Sequence, residues 1–195
     1  MSTHLNGPRC KQTNRQTTYF FSYDPPYSRG NLAVVNLVLE KLTILLGESD
    51  GTFKERRQYQ TGAHPLFVIA NDLNKDTKPD LVISTEYSDY LDVFIGCGDG
   101  SFKQQAKCWT SYLPTVVAIA DINSDTVSDL VTINSGANSI GLFYGIGNGT
   151  FHPQIEYMMD RNAMSVVVGD FNGDLKPDLA VGTGEKIDIV LNSCP

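Results

Sequence analysis

The sequence predicts an all-β fold, a β-propeller of four blades, each with four antiparallel strands and each spaced 49 residues from the next. Three observations carry that expectation. The acidic stretch Asp72–Asp80 recurs as Asp121–Asp129 and again as Asp170–Asp178. A glycine-rich stretch, Gly47–Phe53, keeps the same step at Gly96–Phe102 and Gly145–Phe151. Between these markers lie short β-branched runs with no helical period, and four short strands per unit of this length read as a propeller blade.

One unit shows the elements in order. Val116–Ala120 is a β-branched run and reads as a buried inner strand. The residue before each acidic loop is Asn71, Ala120 or Gly169, small enough for a crowded centre. Asp129–Asn134 is the second strand, Ser135–Asn138 has turn chemistry, and Ile140–Tyr144 is the third strand. Asn148-Gly149 signals a type I′ hairpin, which needs positive φ at both central residues. Phe151–Tyr157 then forms the fourth strand.

The repeat divides a single domain, 1–195, into units 13–60, 61–109, 110–158 and 159–195. The first unit is degenerate. Its loop positions fall on Tyr23, Pro25, Tyr27 and Asn31, without a carboxylate. The last unit stops after its third strand, Lys186–Leu191. The segment His4–Gln12 occupies fourth-strand register, so the two ends could complete one blade and close a ring. The other reading is a tail on a fragment of a larger propeller.

Composition narrows the function classes. At 41% hydrophobic and 19% charged residues, the chain is globular rather than disordered. A net charge of −7 makes nucleic acid a poor partner. The sequence has no run of 18 apolar residues, so no membrane insertion is expected, and its start shows no apolar leader core.

The acidic loops carry the chemistry. Oxygen-bearing side chains stand at loop positions 1, 3, 5 and 9, with a backbone carbonyl available at position 7. Odd spacing in a curled loop turns such groups toward one point. Hard oxygen donors at that density suit Ca²⁺, whereas Mg²⁺ demands strict octahedral geometry. The alternative is that Asx-rich loops simply make good turns. The flanks are strands and no Glu stands at position 12, so these are not EF-hands.

These motifs resemble the FG-GAP/VCBS repeat family, related to the blades of the integrin α-subunit head. The resemblance covers roughly residues 30–195. It rests on the D-x-[DN]-x-D-x-x-x-D loop, followed by a strand such as Asp178-Leu179-Ala180-Val181, and on the G-x-G-[DN]-G-[ST]-F hairpin. It implies a propeller that carries Ca²⁺ between the first two strands of a blade, about three ions here. The implied ligands are Asp72, Asn74, Asp76, Asp80 and the Lys78 carbonyl in the first loop. In the second they are Asp121, Asn123, Asp125, Asp129 and the Val127 carbonyl. In the third they are Asp170, Asn172, Asp174, Asp178 and the Lys176 carbonyl. Three ions would offset six of the seven net negative charges. Position 6, commonly Gly in the family, is Thr77, Thr126 and Leu175, where a Cβ strains a left-handed turn. The family also implies adhesion or ligand binding outside the cell or at its surface, and rings of more than four blades.

Other residues complete the reading. His4, His64 and His152 lack neighbours at zinc-ligand spacing. Asn148-Gly149-Thr150 is a glycosylation sequon within a tight turn. No nucleophile elbow or nucleotide-binding loop is present. Cys97 and Cys108 are equivalent by repeat to Cys194 and Cys10, which makes a Cys10–Cys194 disulfide one outcome and four free thiols the other. The face away from the acidic loops holds Tyr87, Asp89, Tyr90, Trp109, Tyr112 and Asn138, candidates for recognising a protein or carbohydrate. The acids are mostly committed to repeated loops, so the sequence reads as a binding module and not an enzyme. A propeller lyase or hydrolase acting on carbohydrate is the second reading, and a purely structural repeat the third.

Overall fold

The computed structural model describes residues 18–23, 30–160 and 162–193. The segment His4–Gln12, expected as a closing strand, and both Cys10 and Cys194 lie outside the described residues.

The first sheet comprises β1 (Thr18–Tyr23), β2 (Asn31–Asn36), β3 (Lys41–Gly47) and β4 (Phe53–Gln60). The second comprises β5 (Pro65–Asn71), β6 (Asp80–Thr85), β7 (Tyr90–Gly96) and β8 (Phe102–Trp109). The third comprises β9 (Pro114–Ala120), β10 (Asp129–Asn134), β11 (Ser139–Phe143) and β12 (Ile155–Met158). The fourth has β13 (Ala163–Gly169), β14 (Asp178–Thr183) and β15 (Ile187–Val190). Each sheet is an antiparallel meander in chain order. Among the described residues the helical content is one 3-10 turn, Glu86–Ser88.

The sheets stack as blades. β1 and β2 pack on β5, β5 packs on β9, and β9 packs on β13. Three apolar interlayers result. Leu42 and Ile44 of the first blade meet Val68, Leu81, Phe94 and Phe102 of the second. Leu91 and Val93 of the second meet Val117, Leu130 and Phe143 of the third. Ile140 and Leu142 of the third meet Ala163, Val166 and Val181 of the fourth. Burying these side chains contributes about 1.5–3 kcal/mol each, so the junctions between blades are the core.

The repeat reaches into backbone irregularities. Leu66, Thr115 and Met164, each 49 residues apart, are skipped in the pairing of first and second strands, so one bulge recurs in three blades. The step fails in one place. Leu130 pairs with Phe143, but Leu179 pairs with Val190, so the turn after β14 is two residues shorter.

Two expectations are corrected. Gly147 and Gly149 have φ of +82° and +80°, while Asn148 does not have positive φ, so the hairpin is not a two-residue type I′ turn. It is a longer loop closed by the Ile146 N–H on the Thr150 carbonyl at 3.0 Å. Its fourth strand is also shorter than expected. Phe151 forms an isolated bridge with Gly145, and regular pairing begins at Ile155.

Candidate metal centres

Every residue type in the glycine-rich hairpin has a physical task. A Cβ on Gly96 would lie 2.2 Å from the Pro79 carbonyl oxygen, and one on Gly145 would lie 2.3 Å from that of Ser128. The first glycine therefore lets the third strand touch the acidic loop. The Asp or Asn that follows caps the turn. Asp50 accepts from the N–H and Oγ1 of Thr52, Asp99 from those of Ser101, and Asn148 from those of Thr150. The last glycine of each is left-handed, with φ near +80° at Gly51, Gly100 and Gly149.

The three acidic loops share one hydrogen-bond scheme. The first Asp takes the loop's own N–H groups. Asp72 Oδ1 accepts from Asp76 and its Oδ2 from Thr77, at 3.1 and 2.7 Å. Asp121 does the same with Asp125 and Thr126, at 2.9 and 2.8 Å. Asp170 does so with Asp174 and Leu175, at 3.2 and 2.9 Å. Asn74, Asn123 and Asn172 accept from the N–H two residues on. Asp76, Asp125 and Asp174 accept in turn from the N–H of Lys78, Val127 and Lys176.

The ninth position differs from the rest. Asp80, Asp129 and Asp178 are fully buried. Each splits its carboxylate between two backbone N–H groups. Asp80 holds Leu73 and Gly96, and Asp129 holds Ile122 and Gly145. Asp178 holds Phe171 and Asn192. These aspartates clamp the loop start to the end of the third strand. Burial holds Asp80 and Asp129 above the ordinary carboxylate range despite the N–H bonds. In contrast, the Asn123 amide holds Asp125 below it, and the Leu175 N–H does so for Asp170. At Asp76 the two bonds from Lys78 and the one from Asn74 outweigh desolvation and lower the value.

The donor set fits a hard cation in kind, because each loop offers oxygens at positions 1, 3 and 5. In this geometry those oxygens turn onto the loop backbone. Among the described residues no three His, Cys, Asp or Glu side chains converge into a group able to hold a metal. The Asn123 and Asn172 amides donate to Asp125 and Asp174, and Lys78 Nζ lies 3.1 Å from Asp76 Oδ2. Position 6 is left-handed in all three loops, with φ of +64° at Thr77, +69° at Thr126 and +66° at Leu175.

A family model described as an FG-GAP-like repeat matches residues 72–132 and again 121–181, more than half of the sequence. The chain belongs to the FG-GAP-like repeat family. The loop and hairpin described above are thus the family's repeat read in this chain. No curated protein matches the sequence.

Solved structures show the same propeller fold for this FG-GAP-like chain. A crystal structure of BBS1N in complex with ARL6DN, soaked with lead, superimposes with a TM-score of 0.63 at 10% identity. It covers 93% of this chain and 58% of that one. A mercury-soaked structure of the same complex gives 0.63 at 9% identity, covering 90% and 48%. A protein from Lactobacillus plantarum gives 0.60 at 16% identity, covering 89% and 55%. The FG-GAP-like chain thus spans about half the length of these structures.

The acidic loops and glycine hairpins meet on one side of this FG-GAP-like array, where the Gly149 N–H donates to the Leu73 carbonyl at 3.1 Å. The second-to-third turns lie at the opposite strand ends. Of the candidate ligand residues there, Tyr87, Trp109 and Tyr112 are well exposed. Tyr87 stacks on His64, with ring centroids 4.4 Å apart. Tyr90 is buried. Its ring packs edge-on to Trp109 at 5.4 Å and lies under the Lys107 ammonium. Asp89 and Asn138 are left-handed turn residues whose carbonyls accept the N–H of Thr110 and Met159. Glu40 makes the same bond to Thr61 at the same step, so this is a scaffold position that the repeat could have exposed in the sequence.

Cys97 and Cys108 are free thiols in the FG-GAP-like array. Burial, with the Asp92 carboxylate nearby, pushes the Cys108 thiol up to about 12. Beside Trp109 runs a groove of about 270 Å³, lined by Cys108, Phe143, Phe151 and Gln154.

Proposed function

We propose that the chain is a non-enzymatic, calcium-binding propeller module that recognises a protein or carbohydrate outside the cell or at its surface. The observation that carries the reading is the recurrence of one oxygen-rich loop scheme at three places, each on the same side of the array. The three carboxylates of each loop repel one another less when a cation lies among them, and Ca²⁺ tolerates six to eight oxygens in loose geometry. Asp72, Asn74 and Asp76, with their counterparts in the other two loops, would hold it. The ninth-position aspartates would support the loop through the backbone and contribute remaining lone pairs. Bound Ca²⁺ supplies positive charge that releases the loop N–H groups from sole responsibility for the carboxylates.

The exposed face opposite the loops supports partner binding. Trp109 and Tyr112 offer large, stiff contact surfaces there. A propeller neighbour, BBS1N, is itself in complex with a protein. Among the described residues no helix is long and apolar enough to cross a membrane.

The test is a thermal melt in Ca²⁺ against EDTA. Ligand at a hundred times its dissociation constant adds about 2.7 kcal/mol per site by mass action, so a clear upward shift is expected. An unchanged melting temperature removes the calcium claim. Screening glycans and secreted proteins with the native chain and with Trp109→Ala tests the recognition face. The variant should lose the partner while keeping its calcium shift, and equal binding would refute that assignment.

A further inference from the structure

The glycine-rich hairpin occurs three times, and its capping residue is Asp50, Asp99 and then Asn148. One side-chain oxygen closes the turn in each. Asp50 Oδ1 accepts the N–H and Oγ1–H of Thr52, and Asp99 Oδ1 accepts the N–H and Oγ–H of Ser101. Asn148 Oδ1 accepts the Thr150 N–H at 3.0 Å and the Thr150 Oγ1–H. A backbone N–H can only donate, so the Asn148 atom that faces it is the oxygen and the amide nitrogen points the other way. Among the described residues nothing accepts a bond from that nitrogen. Asp50 and Asp99 close the same turn without a nitrogen, so Nδ2 of Asn148 is spare to the fold.

The surroundings leave it room. The root of the hairpin is anchored: the Gly149 N–H donates to the Leu73 carbonyl at 3.1 Å, and a Cβ on Gly149 would lie 2.4 Å from Ile95 Cδ1. The tip is free. Asn148 is exposed, and its chain neighbours Gly147 and Gly149 carry no side chains to crowd it. Asn148-Gly149-Thr150 is also the one Asn-x-Ser/Thr stretch in the 195 residues, the acceptor sequence for an N-linked glycan. The two sister hairpins keep the glycine and the hydroxyl but have Asp in place of Asn.

We propose that Asn148 carries an N-linked glycan on the loop side of the array. The proposal rests on the reading that the chain acts outside the cell or at its surface, because the glycan donor, a lipid pyrophosphate-linked oligosaccharide, is met on the secretory route. Nδ2 attacks the anomeric carbon of the donor. The new C–N bond forms as the C–O bond to the pyrophosphate breaks, lipid pyrophosphate leaves, and one amide proton passes to a base of the transferring enzyme. The product keeps Oδ1 and one N–H, so both bonds from Thr150 survive. The glycan stands beside the acidic loop of the second blade, at the strand ends opposite the second-to-third turns, and leaves the recognition face open.

The test expresses the full chain behind a cleaved secretory leader in a glycosylating eukaryotic cell line. Intact mass is read before and after treatment with a peptide-N-glycosidase. The expected product carries the mass of a single glycan, which the glycosidase removes with conversion of Asn148 to aspartate in the peptide map. Asn148→Asp gives the third hairpin the residue of the other two, so it should fold, be secreted and carry no glycan. The glycosylated chain should melt no lower than this variant. A secreted chain without the added mass overturns the proposal. So does a glycosylated chain that melts below Asn148→Asp, because the nitrogen would then not be spare. The leader directs the chain to the secretory route wherever the natural chain goes, so neither result bears on the extracellular reading. That reading falls separately if the natural chain is found in the cytosol.

Discussion

Asn31 Oδ1 accepts the Gly47 N–H at 3.2 Å, the bond that Asp80 makes to Gly96 at 2.8 Å. The first blade has no acidic loop, yet it keeps this acceptor at the same step. The ninth position is therefore first a backbone clamp, whatever the rest of the loop does.

From this follows the cost of breaking the clamp. Asp129→Ala leaves two buried N–H groups without an acceptor, at Ile122 and Gly145. Bonds to charged acceptors are worth about 1.5–3 kcal/mol each, so a loss of about 3 kcal/mol is expected in urea melts run in EDTA. Asp129→Asn keeps one oxygen, as Asn31 does, and should lose clearly less. Equal losses for the two variants would contradict the clamp.

Leu175 has a left-handed backbone and a side chain that is almost wholly exposed, so it gains little from its own packing. Left-handed strain in a non-glycine residue costs on the order of 1–2 kcal/mol, partly offset by the entropy glycine loses on folding. Leu175→Gly should stabilise the chain by about 0.5–1 kcal/mol by the same principles, read as a rise in melting temperature. Thr126→Gly should gain less, because Thr126 Oγ1 accepts from Lys75 Nζ and that bond would go.

The loop carboxylates should titrate in two groups. Burial holds Asp80 and Asp129 above the ordinary value of 3.8, so their ionisation opposes folding. Their contribution is complete at low pH and is lost as pH rises from 3.8 through the folded value. Asp125 and Asp170 are held below 3.8, chiefly by the Asn123 amide and the Leu175 N–H. Their contribution is present above 3.8 and is lost as pH falls through the folded value. Carbon-13 titration of the side-chain carboxyls in EDTA should place the first pair above the second. The reverse order would show that the hydrogen bonds are not formed in solution.

Reactivity should separate the two described cysteines. Cys97 is exposed, whereas Cys108 is half-buried and desolvation pushes its thiol up to about 12. A thiol reagent at neutral pH should label Cys97 in the native chain and Cys108 only after denaturation, because the thiolate is the reacting species. Rapid labelling of Cys108 in the folded chain would mean that β8 opens readily.

The strand order and the positions of the repeated loops were legible because the repeat reports them several times. Asp80, Asp129 and Asp178 stand out by spacing alone, and Asp129–Asn134 has the same bounds in sequence and structure. What spacing could not give was the division of labour within the loop. An acceptor for the loop's own N–H groups and a clamp are both aspartates, and only burial and partner geometry separate Asp129 from Asp121. Tyr90 misled for a similar reason. A tyrosine in a loop-rich stretch reads as exposed until Trp109 and Lys107 are seen to cover it. The Asn148-Gly149 hairpin was misread because a two-residue rule was applied to a loop whose positive φ angles sit on Gly147 and Gly149.

Among the described residues the interlayers join each blade only to its neighbours in the sequence. Nothing in such a stack needs the far end of the chain before the near end can order, and stability accumulates blade by blade. On a ribosome, the first blade emerges with its forward face bare and waits only for the second. Each later blade then lands on a surface already built. Folding can keep pace with synthesis, and the apolar surface exposed to a chaperone at any moment is about one blade face.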